Sequence, residues 1–209
     1  MKKNIFVYFV FVLCLCSANI ANACDYNEKD IERIDEIAYL IKGSRLKESR
    51  LPVTGIVCSY YSNGNPISRV TYKNGRMEGI FYLYHENGDL WSEGPYKNGM
   101  AEGIHNQYYK SGKLKLEIPF KNDKVEGIEK GYYESGKLQS ESPYKNGKLD
   151  GKIKIYRENG KPLATVVYKN GSPVSGMCHS TDGITTPWTN AELYNFKRNR
   201  SEILDINCD

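Results

Sequence analysis

Gly127-Ile128-Glu129-Lys130-Gly131-Tyr132-Tyr133-Glu134-Ser135-Gly136-Lys137-Leu138, closed by Tyr144-Lys145-Asn146-Gly147, is one copy of a unit that recurs along the chain. Gly55, Gly79, Gly103, Gly127 and Gly151 stand 24 residues apart and each opens a copy. A second glycine follows nine residues on, at 64, 88, 112, 136 and 160. One aromatic column, Tyr60, Tyr84, Tyr108, Tyr132 and Tyr156, lies five residues after the opening glycine. A second, Tyr72, Tyr96, Phe120, Tyr144 and Tyr168, always leads into Lys-Asn. The next residue is glycine in every copy except the third, where Asp123 stands. A fixed period of this length is the signature of a repeat array.

Asn63-Gly64, Asn87-Gly88 and Asn159-Gly160, with Ser111-Gly112 and Ser135-Gly136, sit between short aromatic and β-branched runs. Asn-Gly is the strongest two-residue hairpin signal, because a type I′ turn needs φ > 0 at both central residues. Asn74-Gly75, Asn98-Gly99, Asn146-Gly147 and Asn170-Gly171 repeat it half a unit later. Each copy therefore reads as two antiparallel strands with a turn at either end. The fold class expected is all-β: an elongated antiparallel meander of about ten strands in five 24-residue hairpins, with short helices flanking both ends. No 3.6-residue apolar stripe supports a helical reading of the repeats.

With a tight two-residue first turn, residues whose offsets from the opening glycine sum to 17 face one another. This sets Gly79 opposite Tyr96, Gly103 opposite Phe120, Gly127 opposite Tyr144 and Gly151 opposite Tyr168. A ring lying over a strand glycine is one way to cover bare backbone. The same register pairs His85 with Leu90, Tyr109 with Leu114 and Tyr133 with Leu138. Pro95, Pro119 and Pro143 cannot donate to a ladder, so a kink is expected at each, able to shift the facing by one.

Outside the array the chain divides into residues 1–23, 24–54 and 177–209, with the repeats at 55–176. Residues 1–23 read as a signal peptide: Lys2-Lys3, an apolar run from Ile5 to Cys16, and Ala21-Asn22-Ala23 before the cleavage point. The formal net charge is +4, and removing Lys2 and Lys3 leaves +2, a balance that does not demand nucleic acid, whose binders more often show a one-sided basic patch. Export places the protein in the periplasm or cell envelope. Cys24, Cys58, Cys178 and Cys208 then make two disulfides, and proximity along the chain favours Cys24–Cys58 and Cys178–Cys208. Lipidation of Cys24, with membrane association, is the alternative; parity disfavours it because it strands one cysteine. Asn27 to Ile37 reads as a short amphipathic helix, Ala38 to Ile41 as a strand, and Ser44 to Pro52 as a charged loop that helps cap the first strand. In the fifth copy Lys152-Ile153-Lys154-Ile155 alternates with the opposite facing to earlier copies. Cys178 to Gly183 reads as a loop and Thr189 with Glu192 as a capping box opening a helix to about Arg200. Ile203 to Ile206 is expected to pack back on the array.

The chemistry-bearing residues are few. His85 and His105 occupy different offsets, and Cys178/His179/Cys208 has no standard zinc spacing. No nucleophile elbow, phosphate loop or paired-histidine motif is present, so no enzyme, metal or cofactor is expected. Lys73, Lys97, Lys121, Lys145 and Lys169 form a column. It is either a basic ladder for lipid head groups or an acidic partner, or solvated charge that blunts sheet association; the second is preferred. Glu93, Glu117 and Glu141 are available to neutralise it. Tyr61, Tyr109 and Tyr133 lie one residue past the first aromatic column and should point to the other face. There they either bind a partner or pack between repeats.

The unit Tyr-Tyr-x-Asn/Ser-Gly-Lys-Leu followed by Tyr-Lys-Asn-Gly-Lys-x-x-Gly resembles the bacterial variant of the MORN repeat, of the kind grouped as YwqK-family antitoxins. Leu40 to Gly55, ending Pro-Val-Thr-Gly, resembles that family's lead-in. The resemblance implies a non-enzymatic protein acting through an unidentified protein partner. The expectation is an exported repeat protein whose sheet face mediates protein–protein interaction. The alternatives are an antitoxin-like protein sequestering a cognate partner, and an envelope element binding lipid or peptidoglycan.

Overall fold

The computed structural model describes residues 24–34, 37–40, 52–198 and 208. The expected signal peptide, the charged loop from Ser44 and the segment Ile203 to Ile206 lie wholly or largely outside them. One 17-stranded sheet holds the five repeats, and a separate two-stranded hairpin pairs Ile31–Ile34 with Ile37–Leu40. The sheet is mixed, because Tyr26–Asn27 joins Gly55–Tyr60 in parallel while the other pairs are antiparallel.

The strand number exceeds ten because each opening strand after the first is broken, which adds four, and because Tyr26–Asn27, Ser172–His179 and Thr185–Pro187 join the sheet outside the five hairpins. Met100–Ala101 and Gly103–Tyr108 both pair with Leu90–Lys97, with Glu102 as the gap between them. Glu102 N–H still donates to Pro95 O at 3.0 Å. Proline therefore sits where its partner strand is interrupted, which is where a missing N–H is best tolerated. No kink lies at Pro95 itself: Ile80 faces Pro95 in register. Gly103 follows the gap with φ +87, and any Cβ there would point at the Pro95 ring, 3.0 Å away. The expected pairs of glycine with Tyr96, Phe120, Tyr144 and Tyr168 all form. The glycine is required by this backbone turn and the preceding proline, not by an overlying ring.

The two turns of a unit differ although both read Asn-Gly. In the second, Asn98 (φ 53) and Gly99 (φ 88) are both left-handed and Lys97 pairs with Met100, a type I′ hairpin. In the first, only Gly88 is left-handed. Gly88 N–H donates to His85 O at 2.9 Å and His85 N–H to Asp89 O at 2.8 Å, so the loop is longer and ends in a bulge. The register slips by one there, between Leu83 and Tyr84, so Leu90, Leu114 and Leu138 face Tyr84, Tyr108 and Tyr132. The expected partners His85, Tyr109 and Tyr133 are displaced into the turn.

The N-terminal helix expected over Asn27 to Ile37 does not form. Its place is taken by a 3-10 turn, Glu28–Asp30, capped by the Asn27 side chain, and then the hairpin. With Ile31 and Ile34 only three apart, β-branched isoleucines suit a strand at least as well as a single helical turn. The fifth repeat keeps the facing of the others: Ile153 and Ile155 occupy the positions of Phe81 and Leu83. The sheet also continues past Gly176. Ser172–His179 pairs with Thr185–Pro187 through a turn at Ser180–Ile184 that repeats the first-turn hydrogen bonds, a shortened sixth hairpin where a loop was expected. The helix Asn190–Arg198 carries the expected capping box: Glu192 Oε2 accepts from Thr189 N–H at 2.6 Å, and Glu192 N–H donates to Thr189 Oγ1.

One face, the core face, is covered at both ends. Val53, Val57, Val70 and Tyr72 are buried under Tyr26 and Ile31. Leu149, Ile153, Ile155, Ala164, Val166 and Tyr168 are buried with Phe196 of the helix. Between them runs an aromatic row in which His105 sits between Tyr96 and Phe120, at 5.3 and 4.6 Å between ring centroids.

Candidate functional site

Repeats are linked by side chains that each reach one unit along. The hydroxyls of Tyr61, Tyr109 and Tyr133 donate to the carbonyls of Tyr84, Tyr132 and Tyr156, at 3.1, 2.6 and 2.6 Å. Arg157 makes the equivalent bond to His179 O at 2.7 Å. His85 holds that place in the second repeat, and its Nε2 is buried without a hydrogen-bond partner. The tyrosines offered as a binding face thus spend their polar tips on repeat stacking, and burial raises the hydroxyl pKa of Tyr109 and Tyr133.

A second link escaped the sequence reading. Glu78, Glu102 and Glu126 accept the backbone N–H of Asn98, Asn122 and Asn146 at 2.8, 3.0 and 2.6 Å, and Asp150 accepts that of Asn170 at 3.1 Å. Thr54 Oγ1 does the same for Asn74 at 3.0 Å. The acids recur at the repeat period immediately before each opening glycine, a column as regular as the tyrosines.

The face opposite the core, the outer face, carries three rows. Tyr108, Tyr132 and Tyr156 donate to Glu93, Glu117 and Glu141 of the preceding repeat at 2.7, 2.5 and 3.0 Å. Burial first, then the bond to the carboxylate, pushes Tyr108 and Tyr132 up to about 12. Hydrogen bonds from Lys154 and Tyr156 hold Glu141 below its ordinary value. The acids read as neutralisers of the lysine column are engaged with tyrosines instead. Beside them runs an apolar row: Ile80, Ile104 and Ile128 are 39, 50 and 52% exposed and face Pro95, Pro119 and Pro143. Nearest the type I′ turns come Lys73, Lys97, Lys121, Lys145 and Lys169, all exposed.

The disulfides are Cys24–Cys58 and Cys178–Cys208, the local pairing. Cys24 is thereby occupied, and the zinc arrangement of Cys178 with Cys208 has no free thiol. Trp188 Nε1 donates to Cys178 Sγ at 3.2 Å and its ring covers Gly176, so the second staple fastens the helix segment over the sheet. His105 Nε2–H donates to Pro95 O at 2.9 Å, and burial lowers the histidine's pKa. Among the described residues no group of three or more His, Cys, Asp or Glu side chains is placed to hold a metal ion.

A family described as "MORN repeat variant" matches residues 53–74, 77–98, 101–122, 125–146 and 149–170, more than half of the chain. No curated protein matches it. A solved structure titled "Crystal structure of GtfA/B complex bound to UDP and GlcNAc" aligns with 12% identity over 86% of this chain, with a TM-score of 0.19. The alignment spans only 27% of that chain's length.

Proposed function

The chain belongs to the MORN repeat variant family, and from that premise we propose an exported, non-enzymatic binding protein whose outer sheet face docks a protein partner. The observation that supports this is the row of Ile80, Ile104 and Ile128. Three half-exposed isoleucines at one position of three successive repeats make a continuous apolar stripe with the facing prolines. Contiguous exposed apolar surface on a folded protein commonly marks an interaction site. Export is supported by the two disulfides, which persist in oxidising compartments.

The test is co-purification from an envelope extract with wild type and with Ile104→Glu/Ile128→Glu. A stoichiometric protein retained by wild type and lost by the variant is the expected result, with the variant's thermal midpoint unchanged. Retention by both moves the interface elsewhere. Antitoxin-like sequestration is the narrower form of the same reading and requires that one partner be bound at one-to-one stoichiometry and inactivated. Co-sedimentation with sacculi or vesicles in place of a protein would make the protein an envelope structural element. Recovery of the full chain in the cytosol, with Met1 to Ala23 intact, would overturn export.

A further inference from the structure

Three of the five type I′ turns set two cations side by side across the strands. Lys73 faces Arg76, Lys121 faces Lys124 and Lys145 faces Lys148, while Lys97 faces Met100 and Lys169 faces Ser172. All of these cations are exposed. Among the described residues the ion pair present is Lys154–Glu141, and it involves none of them. The carboxylates of this edge, Glu78, Glu102, Glu126 and Asp150, are turned onto backbone N–H groups, and so is Asp123, which stands in the turn between Lys121 and Lys124. Like charges directly opposed in a sheet are destabilising. Met100 and Ser172 show that the turn does not need a cation there, so the doubled charge is kept against the stability of the hairpin.

We propose that this edge binds a linear acidic glycan carrying one anionic group per disaccharide, laid across the strands so that successive anions meet successive turns. The period selects this occupant. Neighbouring strands lie about 4.8 Å apart, so two strands bring the next turn round at about 9.6 Å. An extended peptide presents side chains on one side about every 6.7 Å, out of step with the turns, and a nucleic-acid strand with one phosphate about every 3.4 Å of helix axis would set about three charges against each turn rather than one. A disaccharide of linked pyranose rings is close to the repeat in length. A flat anionic bilayer fits less well, because Glu93, Glu117 and Glu141 stand on the same face inside the cation edge. This site is independent of the isoleucine row and survives the failure of the protein-docking proposal.

The experiment measures binding of hyaluronan oligosaccharides, with one carboxylate per disaccharide, to the disulfide-bonded protein at low ionic strength. Polyglutamate and phosphatidylglycerol vesicles are measured alongside. Hyaluronan should bind, and K121S/K124S/K145S/K148S should weaken it about tenfold and flatten its salt dependence, as expected on removing four cations. The control K113S/K137S, on the opposite edge, should stay within about twofold because screening confines the effect to near charges. The thermal midpoint of the quadruple variant should not fall, since opposed charges are removed. Absence of hyaluronan binding, an equal loss in the control, or tighter binding of polyglutamate or vesicles would each overturn the proposal.

Discussion

Tyr108 donates its hydroxyl to Glu93 Oε1 across 2.7 Å, so a ring of one repeat is tied to a carboxylate of the repeat before it. Tyr132 repeats the bond to Glu117. Both phenols are raised to about 12, against about 10 for a free tyrosine. The folded state therefore keeps protons that the unfolded chain has lost between those values. Stability from these groups is fully present below about pH 10 and is lost as pH rises through about 12. Ultraviolet phenolate titration should show late-ionising tyrosines, and Tyr108→Phe and Tyr132→Phe should each remove one that ionises near 12. Ionisation of all tyrosines near 10 in the folded protein would contradict the assignment.

His105 works in the opposite direction. Its burial between Tyr96 and Phe120 lowers its pKa, so the folded state binds fewer protons than the unfolded one as pH falls below the ordinary histidine value. Melting temperature should decline from neutrality into mild acid, and His105→Phe should flatten that decline. An unchanged slope in the variant would assign the acid sensitivity to other groups.

Gly94 has an ordinary φ, yet a Cβ there would lie 2.1 Å from the His105 ring. Gly94→Ala must displace the imidazole from its place against Pro95 O and is expected to cost about 1–3 kcal/mol by overpacking. Urea denaturation measures this, and a cost near zero would mean the ring has room to move.

Asp123 stands at φ +62, where the other repeats have glycine, and its Oδ1 accepts Ala101 N–H at 2.6 Å. Asp123→Ala keeps the left-handed strain and loses the bond, so a loss of about 1–2 kcal/mol is expected. Asp123→Gly trades the bond for an unstrained turn and should be nearly neutral. Equal effects of the two variants would show that the bond, not the backbone, decides.

The loops closed by Cys24–Cys58 and Cys178–Cys208 span 34 and 30 residues. Each bridge should contribute about 3–4 kcal/mol by the loop-entropy estimate. Alkylation should label these four cysteines only after reduction, and reduction should lower the midpoint. Labelling of Cys24 without reductant would reopen its lipidation.

The glycine–aromatic strand pairs were legible because a 24-residue period samples each position five times, and the disulfides because four cysteines offer one pairing that is local along the chain. What stayed hidden were features that identical residue pairs do not encode. Asn87-Gly88 and Asn98-Gly99 look alike, yet flanking pairing makes one a bulged loop and the other a type I′ turn. The prolines pointed to a kink in their own strand, but the irregularity lies across from Pro95, as the break at Glu102 in the neighbouring strand. Tyr109 left partner binding and repeat packing equally open, and Glu126 drew no reading at all. Their partners, Tyr132 O and Asn146 N–H, sit on backbone that pattern reading does not see.

The side-chain bonds that recur from unit to unit, those of Glu126, Tyr133 and Tyr132 and their equivalents, join residues 20, 23 and 15 apart and reach no further than the adjoining copy. An in-frame duplication or loss of one copy in the middle of the array would rejoin every such bond with an equivalent partner. Array length can therefore drift in evolution by whole steps without a refolding problem, and with it the span of whatever the protein holds.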